Sequence, residues 1–144
     1  MIKDHNNAEY HARYNANVHC ILATRYNRLD FWAAIVAALT ATGSAIAGYA
    51  GALGIVWQAL LLLSAILSTV RPVCRWSDLY AKHHALALAY QQVEWRLKTM
   101  PLADAEAEFA KLASMETTAE PMGWANVEKR ADARARSQLK YAPA

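Results

Sequence analysis

The chain has 144 residues, with 15 Lys and Arg against 12 Asp and Glu for a net charge of +3, a length that suits one domain. Apolar residues make up 56%, above the usual ~45–50%, yet the mean hydropathy is only +0.02, because alanine is abundant and the large apolar residues are clustered. This composition excludes intrinsic disorder, and the absence of Asp, Glu, Lys, Arg and His from Phe31 to Val70 argues against an ordinary soluble enzyme, whose polar loops would interrupt such a block.

Glycine falls at 43, 48, 51, 54 and 123, and proline at 72, 101, 121 and 143. Gaps that wide between breakers favour long helices. No stretch alternates with period two over a useful length, so the chain reads as all-α: a two-transmembrane helical hairpin continuous with a cytoplasmic helical bundle.

The first segment, 1–30, is a cytoplasmic amphipathic helix from about Asn7. Tyr14, Val18, Ile21, Leu22 and Leu29 share one side at spacings of three and four. Arg13, Asn17, Thr24 and Arg28 lie elsewhere on the wheel. Nothing breaks this helix before the apolar block, so it runs straight in. Its histidines and arginines leave no room for the apolar core and cleavage site of a secretory leader, and none is expected.

The block, 31–70, divides into spans 31–50 and 55–70 around the turn 51–54. Twenty residues from Phe31 make roughly 30 Å of helix at ~1.5 Å per residue, matching a hydrocarbon core of ~30 Å. The second span is short, and Pro72, Val73 and Cys74 extend it if Arg71 snorkels. A soluble hairpin would need more covering chain than the polar flanks supply. Arg25 and Arg28 precede the first span, Arg71 and Arg75 follow the second, and the turn carries no Lys or Arg. The positive-inside rule therefore puts both termini in the cytoplasm. Trp32 and Trp76 mark the cytoplasmic interface beside those arginines. Tyr49 and Trp57 suit the outer one, although Trp57 equally suits a packing role.

Segment 71–116 holds a long helix and a short one. Trp76, His83, Tyr90 and Leu97 repeat every seven residues, with Leu79, Leu86, Val93 and Met100 three later. Such a seam indicates a coiled coil or bundle. Trp, His and Tyr at the first position favour the bundle, with the first helix as partner. Pro101 closes this helix. The next runs from about Leu102 to Met115, with Asp104 and Glu106 in its first turn and a buried stripe of Ala105, Phe109 and Leu112. After a break at Glu120–Gly123, the segment 117–144 forms a basic Ala/Arg-rich helix from Trp124 to Lys140. Trp124 and Val127 dock it, and the rest is expected to be solvated or frayed.

Chemistry-bearing patterns are sparse. His5 and His11 are six apart, and the adjacent His83 and His84 point to different faces. Without His-x-x-x-His or Cys-x-x-Cys, no metal site is expected. His83 reads as a seam residue and His84 as exposed. Cys20 and Cys74 make no disulfide framework and lack the basic surroundings of a nucleophile. Asp78 and Glu94 are too far apart to act as one acid/base pair, and no phosphate-binding loop is present. The basic residues alternate with acids, as at Lys129 and Arg130 between Glu128 and Asp132, so nucleic acid is not an expected partner. Nothing argues for catalysis or a cofactor.

The first span carries a face of small or weakly polar residues: Ala37, Thr40, Ser44, Ala47, Gly48 and Gly51. Two readings stand together. Small residues permit close helix packing in lipid, and Thr40 and Ser44 could line a narrow pore in an oligomer. No span carries an ionisable residue, which argues against a proton relay or voltage sensor.

The strings His19-Cys20-Ile21-Leu22-Ala23-Thr24-Arg25-Tyr26 before the hairpin and Arg71-Pro72-Val73-Cys74-Arg75-Trp76 after it add a resemblance, as does the stretch from Trp76 through His83 and Tyr90 to Trp95. In order and layout, residues 5–115 resemble the SLATT family, the SMODS and SLOG-associating two-transmembrane effectors of bacteria. The resemblance implies a pore-forming effector of a prokaryotic conflict system, gated by a nucleotide-sensing or nucleotide-producing partner and acting on the inner membrane during phage attack. It brings no catalytic motif. The expectation is a homo-oligomer in the lipid bilayer. A non-pore anchor or scaffold holding a cytoplasmic partner is the alternative, followed by a holin-like lysis protein.

Overall fold

The computed structural model describes residues 4–51, 54–116 and 124–140. These form five helices, α1 (His5–Tyr49), α2 (Ile55–Cys74), α3 (Trp76–Arg96), α4 (Leu102–Met115) and α5 (Trp124–Lys140), with no strand among the described residues.

Helix α1 is a single element of 45 residues, about 68 Å long at ~1.5 Å per residue. Asp4 caps it: its side chain accepts from the Asn7 amide at 2.7 Å and its carbonyl from the Ala8 amide, satisfying donors that the first turn leaves open. No proline interrupts it, so the amphipathic and apolar stretches are one rod of main-chain hydrogen bonds. It ends where Gly51 takes a left-handed φ of 72°, a conformation that glycine adopts without steric cost. Ala52 and Leu53 of the expected turn lie outside the described residues.

Helix α2 has 20 residues, enough for ~30 Å. The helix continues past the uncharged run through Pro72, Val73 and Cys74. Pro72 offers no N–H to the Ser68 carbonyl, a loss that matters least in the last turn. Arg75 then closes the helix, with φ 48° and its amide bonded to the Arg71 carbonyl.

The chain forms two compact units. One is residues 24–80, holding the apolar hairpin. The other combines the N-terminal part of α1 with residues 81–144. The compact hairpin therefore takes in seven residues before the uncharged block and ten after it.

In the bundle unit, Ala8, Ala12 and Ala16 of α1 pack in one core with Leu86, Tyr90, Val93 and Leu97, and with Ala105 and Leu112 of α4. The expected partnership of α1 with the heptad face is present, and its contact surface is wider than the expected stripe. Val18, Ile21 and Leu22 are buried, whereas Leu29 is exposed. Helix α3 ends at Arg96, four residues before the seam's Met100. The amides of Thr99 and Met100 both bond to the Arg96 carbonyl in a closing turn, because the residue before Pro101 is steered away from helical geometry.

Helix α5 is docked along its length. Val127, Ala131 and Ala135, spaced by four, are buried. Tyr10 donates to Asp132 and Asn17 to Gln138, tying α5 to α1. The expectation of a frayed helix is corrected here: alanine carries little hydropathy, but its small side chain lets two helix backbones approach.

Candidate functional site

In the hairpin, α2 buries no residue at all, and Leu39, Ile46, Ile55 (84% exposed), Val56 and Leu62 stand in the open. Two helices, α1 and the one that begins at Ile55, are long and apolar enough to cross a membrane. Their exposed surface in the single chain is of the kind that lipid or further copies would cover.

The small-residue face of α1 behaves unlike the rest of that surface. Thr40 and Ser44 are 7% and 3% exposed. Thr40 donates to the Val36 and Ala37 carbonyls and Ser44 to the Thr40 carbonyl at 2.6 Å. Their polarity is spent on their own helix. Ala37 and Ala47 are half-buried, while Gly48 and Gly51 are exposed. A side chain at Gly43 would come within 3.6 Å of Leu60, and one at Gly48 within 3.0 Å of the Trp57 ring nitrogen. Trp57 donates its indole N–H to the Ser44 carbonyl at 2.8 Å. It is a packing residue of the hairpin.

At the charged end, Arg71 forms a two-pronged pair with Asp30, at 2.7 and 2.9 Å. Arg75 pairs with Asp78 at 2.7 Å. Arg25 and Arg28 are exposed, Trp32 is 60% exposed, and Trp76 is half-buried. Asp30 carries no hydropathic signal, and its role emerges only once α2 is folded beside α1. Cys20 is exposed and Cys74 half-buried.

In the bundle unit the seam residues His83, Leu86, Tyr90, Val93 and Leu97 are buried, Leu79 is half-buried, and His84 is exposed. His83 does not stand alone. Its Nδ1 lies 2.9 Å from Nδ1 of His19, whose Nε2 lies 3.1 Å from Glu116 Oε1. The Tyr90 hydroxyl donates to the same Glu116 oxygen at 2.7 Å. The His19 ring stacks on both His83 and Tyr90, and Tyr90 on Phe109.

Donor logic orders this chain of contacts. A carboxylate only accepts, so His19 Nε2 carries the proton toward Glu116. The two Nδ1 atoms face one another, so one ring donates across this contact and the other accepts. Burial pushes His83 down to about 4, helped by His19 and Lys82 and opposed by Glu116. The His19 hydrogen bond holds Glu116 below the usual carboxylate range against the effect of burial, and Tyr90 adds to this. Tyr90 is raised by burial and then by Glu116. Among the described residues, no group of three His, Cys, Asp or Glu side chains is arranged to hold a metal ion.

Sequence reasoning paired the histidines by proximity along the chain and so missed His19. The available signal was spacing: His19 lies three residues after Ala16, on the face that begins at Ala8 and Ala12. Glu116 lies just past α4 and carries no local signature. Elsewhere in the bundle unit the half-buried Arg13 bridges Glu9 and Glu94 at 2.6 Å each.

Comparison with known protein families, with curated proteins and with solved structures finds no match to this chain.

Proposed function

We propose that this chain is a non-enzymatic bacterial membrane effector that oligomerises and opens a pore in the inner membrane, within a nucleotide-signalled anti-phage system. The observation that carries the membrane part is the bare apolar surface of α2, which has no buried residue and is bounded by Arg71 and Arg75. The distribution of Arg25, Arg28, Arg71 and Arg75 supports cytoplasmic termini. The defence role rests on the resemblance to the SLATT layout.

In physical terms, the bundle would exist in two packings and a partner would bind one of them better, which is the only way a ligand can shift such an equilibrium. Helix α1 contributes residues to both compact units, so a change in the packing around Ala8–Ala23 has a covalent, hydrogen-bonded route into the hairpin. The His19–His83–Glu116–Tyr90 cluster is a polar element of the bundle whose rearrangement would distinguish the two packings.

A non-pore anchor is the second reading. It is favoured by the burial of Thr40 and Ser44 within one chain, since those hydroxyls are already engaged. Inducing the chain in bacteria while following membrane potential, and reconstituting it in vesicles at rising protein density, separates the two. Depolarisation with leakage that rises steeply with density supports the effector. Harmless expression, and no conduction at any density or in the presence of candidate nucleotide signals, would leave the anchor.

A further inference from the structure

Within the hairpin unit, a crevice of about 570 Å³ opens beside the charged end of the two helices, lined by Asp30, Arg71, Arg75 and Asp78 together with Ser68 and Ser77. Ala37, Leu67 and Pro72 complete its wall on the apolar side. We infer that this crevice binds the headgroup of a phospholipid bearing a primary ammonium, a phosphoethanolamine lipid. The inference rests on the membrane reading above and goes beyond it by naming a ligand.

Volume comes first. The crevice falls in the ~300–1,000 Å³ range of small-molecule sites, large enough for a phosphoethanolamine group. Position comes second. Asp30 and Arg71 immediately flank the uncharged segment, where phospholipid phosphates lie when the segment spans a bilayer. The apolar wall gives the glycerol and upper acyl carbons a surface continuous with the spans.

Charge selects the class of lipid. The lining carries two arginines and two aspartates, so its formal charge is balanced. An anionic headgroup would meet the guanidinium groups but also two carboxylates with no cation to offer them. A zwitterion with both signs satisfies both. Arg71 engages Asp30 through Nε and Nη2, one edge of its guanidinium fork. Arg75 likewise engages Asp78 through Nε and Nη2. The remaining N–H groups of each fork are donors that suit phosphate oxygens, so the ion pairs need not break. Asp30 and Asp78 keep unshared acceptor positions for ammonium N–H groups, and the two serine hydroxyls can serve either partner. A quaternary choline headgroup has the same net charge but no N–H to donate, and loses that half of the recognition.

The test uses the full chain, purified in mild detergent and offered equimolar phosphatidylethanolamine, phosphatidylcholine and phosphatidylglycerol, with retained lipid counted by native mass spectrometry. The expected result is about tenfold preference for phosphatidylethanolamine over both others, the size of one charge-assisted hydrogen bond. Arg75→Gln and Asp78→Asn, on the exposed pair, should each bring retention toward parity while circular dichroism stays unchanged. Arg71→Gln should do the same, provided its helicity is intact. Equal retention of the three lipids by the native chain, or preference for phosphatidylglycerol, overturns the inference without any variant. If water-soluble phosphoethanolamine binds as tightly as the lipid, the ligand is a free phosphoester and the lipid assignment fails. Release of the chain from membranes by alkaline carbonate would instead overturn the membrane reading itself.

Discussion

The indole N–H of Trp57 and the main-chain carbonyl of Ser44 are 2.8 Å apart across the hairpin, and Gly48 is the residue that allows it. A methyl group at Gly48 would sit 3.0 Å from the indole nitrogen. A small residue admits the close approach that this contact needs. Trp57→Phe and Gly48→Ala should each destabilise the hairpin by about 1 kcal/mol. The two effects should not add, since both act on one contact. Unfolding of the native chain, the single variants and the double variant by sodium dodecyl sulfate in mixed micelles measures this. Additive losses would show that the two residues act separately.

The His19–His83–Glu116 cluster makes bundle stability depend on pH in a defined direction. His83 has a folded value of about 4 against an ordinary 6.5, so between these values the unfolded chain binds the extra proton. Stability is therefore complete above about pH 6.5 and is lost progressively as pH falls toward about 4. Glu116, held charged in the folded state, adds loss in the same direction at the acid end, below its own ordinary carboxylate range. Thermal unfolding followed from pH 7.5 to 4, values chosen to bracket about 4 to 6.5, should show a falling midpoint. His83→Gln should flatten the slope more than it lowers the plateau.

The alanine face of α5 should tolerate no enlargement. Ala131 and Ala135 are fully buried, so Ala131→Leu forces the helices apart and should cost about 1–3 kcal/mol. Amide exchange along α5 should rise together with that of the partner segment around Tyr10. A rise confined to α5 alone would mean that the two elements are not energetically linked.

Arg13 is the cation shared by two carboxylates of the bundle. It is mostly buried between Glu9 and Glu94, so Arg13→Met leaves two carboxylates facing one another without their cation. The expected loss is about 2 kcal/mol, partly recovered in the Arg13→Met/Glu94→Gln double variant, as read by chemical denaturation.

The helical elements were legible because the signals that set them are local. An uncharged run, glycine pairs, Pro101 and a seven-residue repeat act over a few turns of chain, and they placed α4 and α5 closely. What was not legible is pairing between distant residues. Asp30 finds Arg71 across 41 positions, and His19 finds His83 across 64. Neither separation leaves a periodic trace. The alanine faces at 8, 12 and 16 and at 131 and 135 were hidden for a different reason. Hydropathy weighs what a side chain removes from water, whereas alanine's contribution there is to be short. Of the candidate site, the polar face at Thr40 and Ser44 was visible in the sequence. Its inward engagement was not, because helix rotation about its axis is decided by the partner.

Arg75 sets conformation against chemistry. Its left-handed main chain, φ 48°, costs an L-residue with a β-carbon roughly 1 kcal/mol that glycine would not incur. Arg75→Gly should thus make a sturdier joint between α2 and α3 while removing a guanidinium from the crevice. This site is one where thermal tolerance and headgroup selectivity are expected to move in opposite directions, so a selection for robustness alone would drift toward glycine.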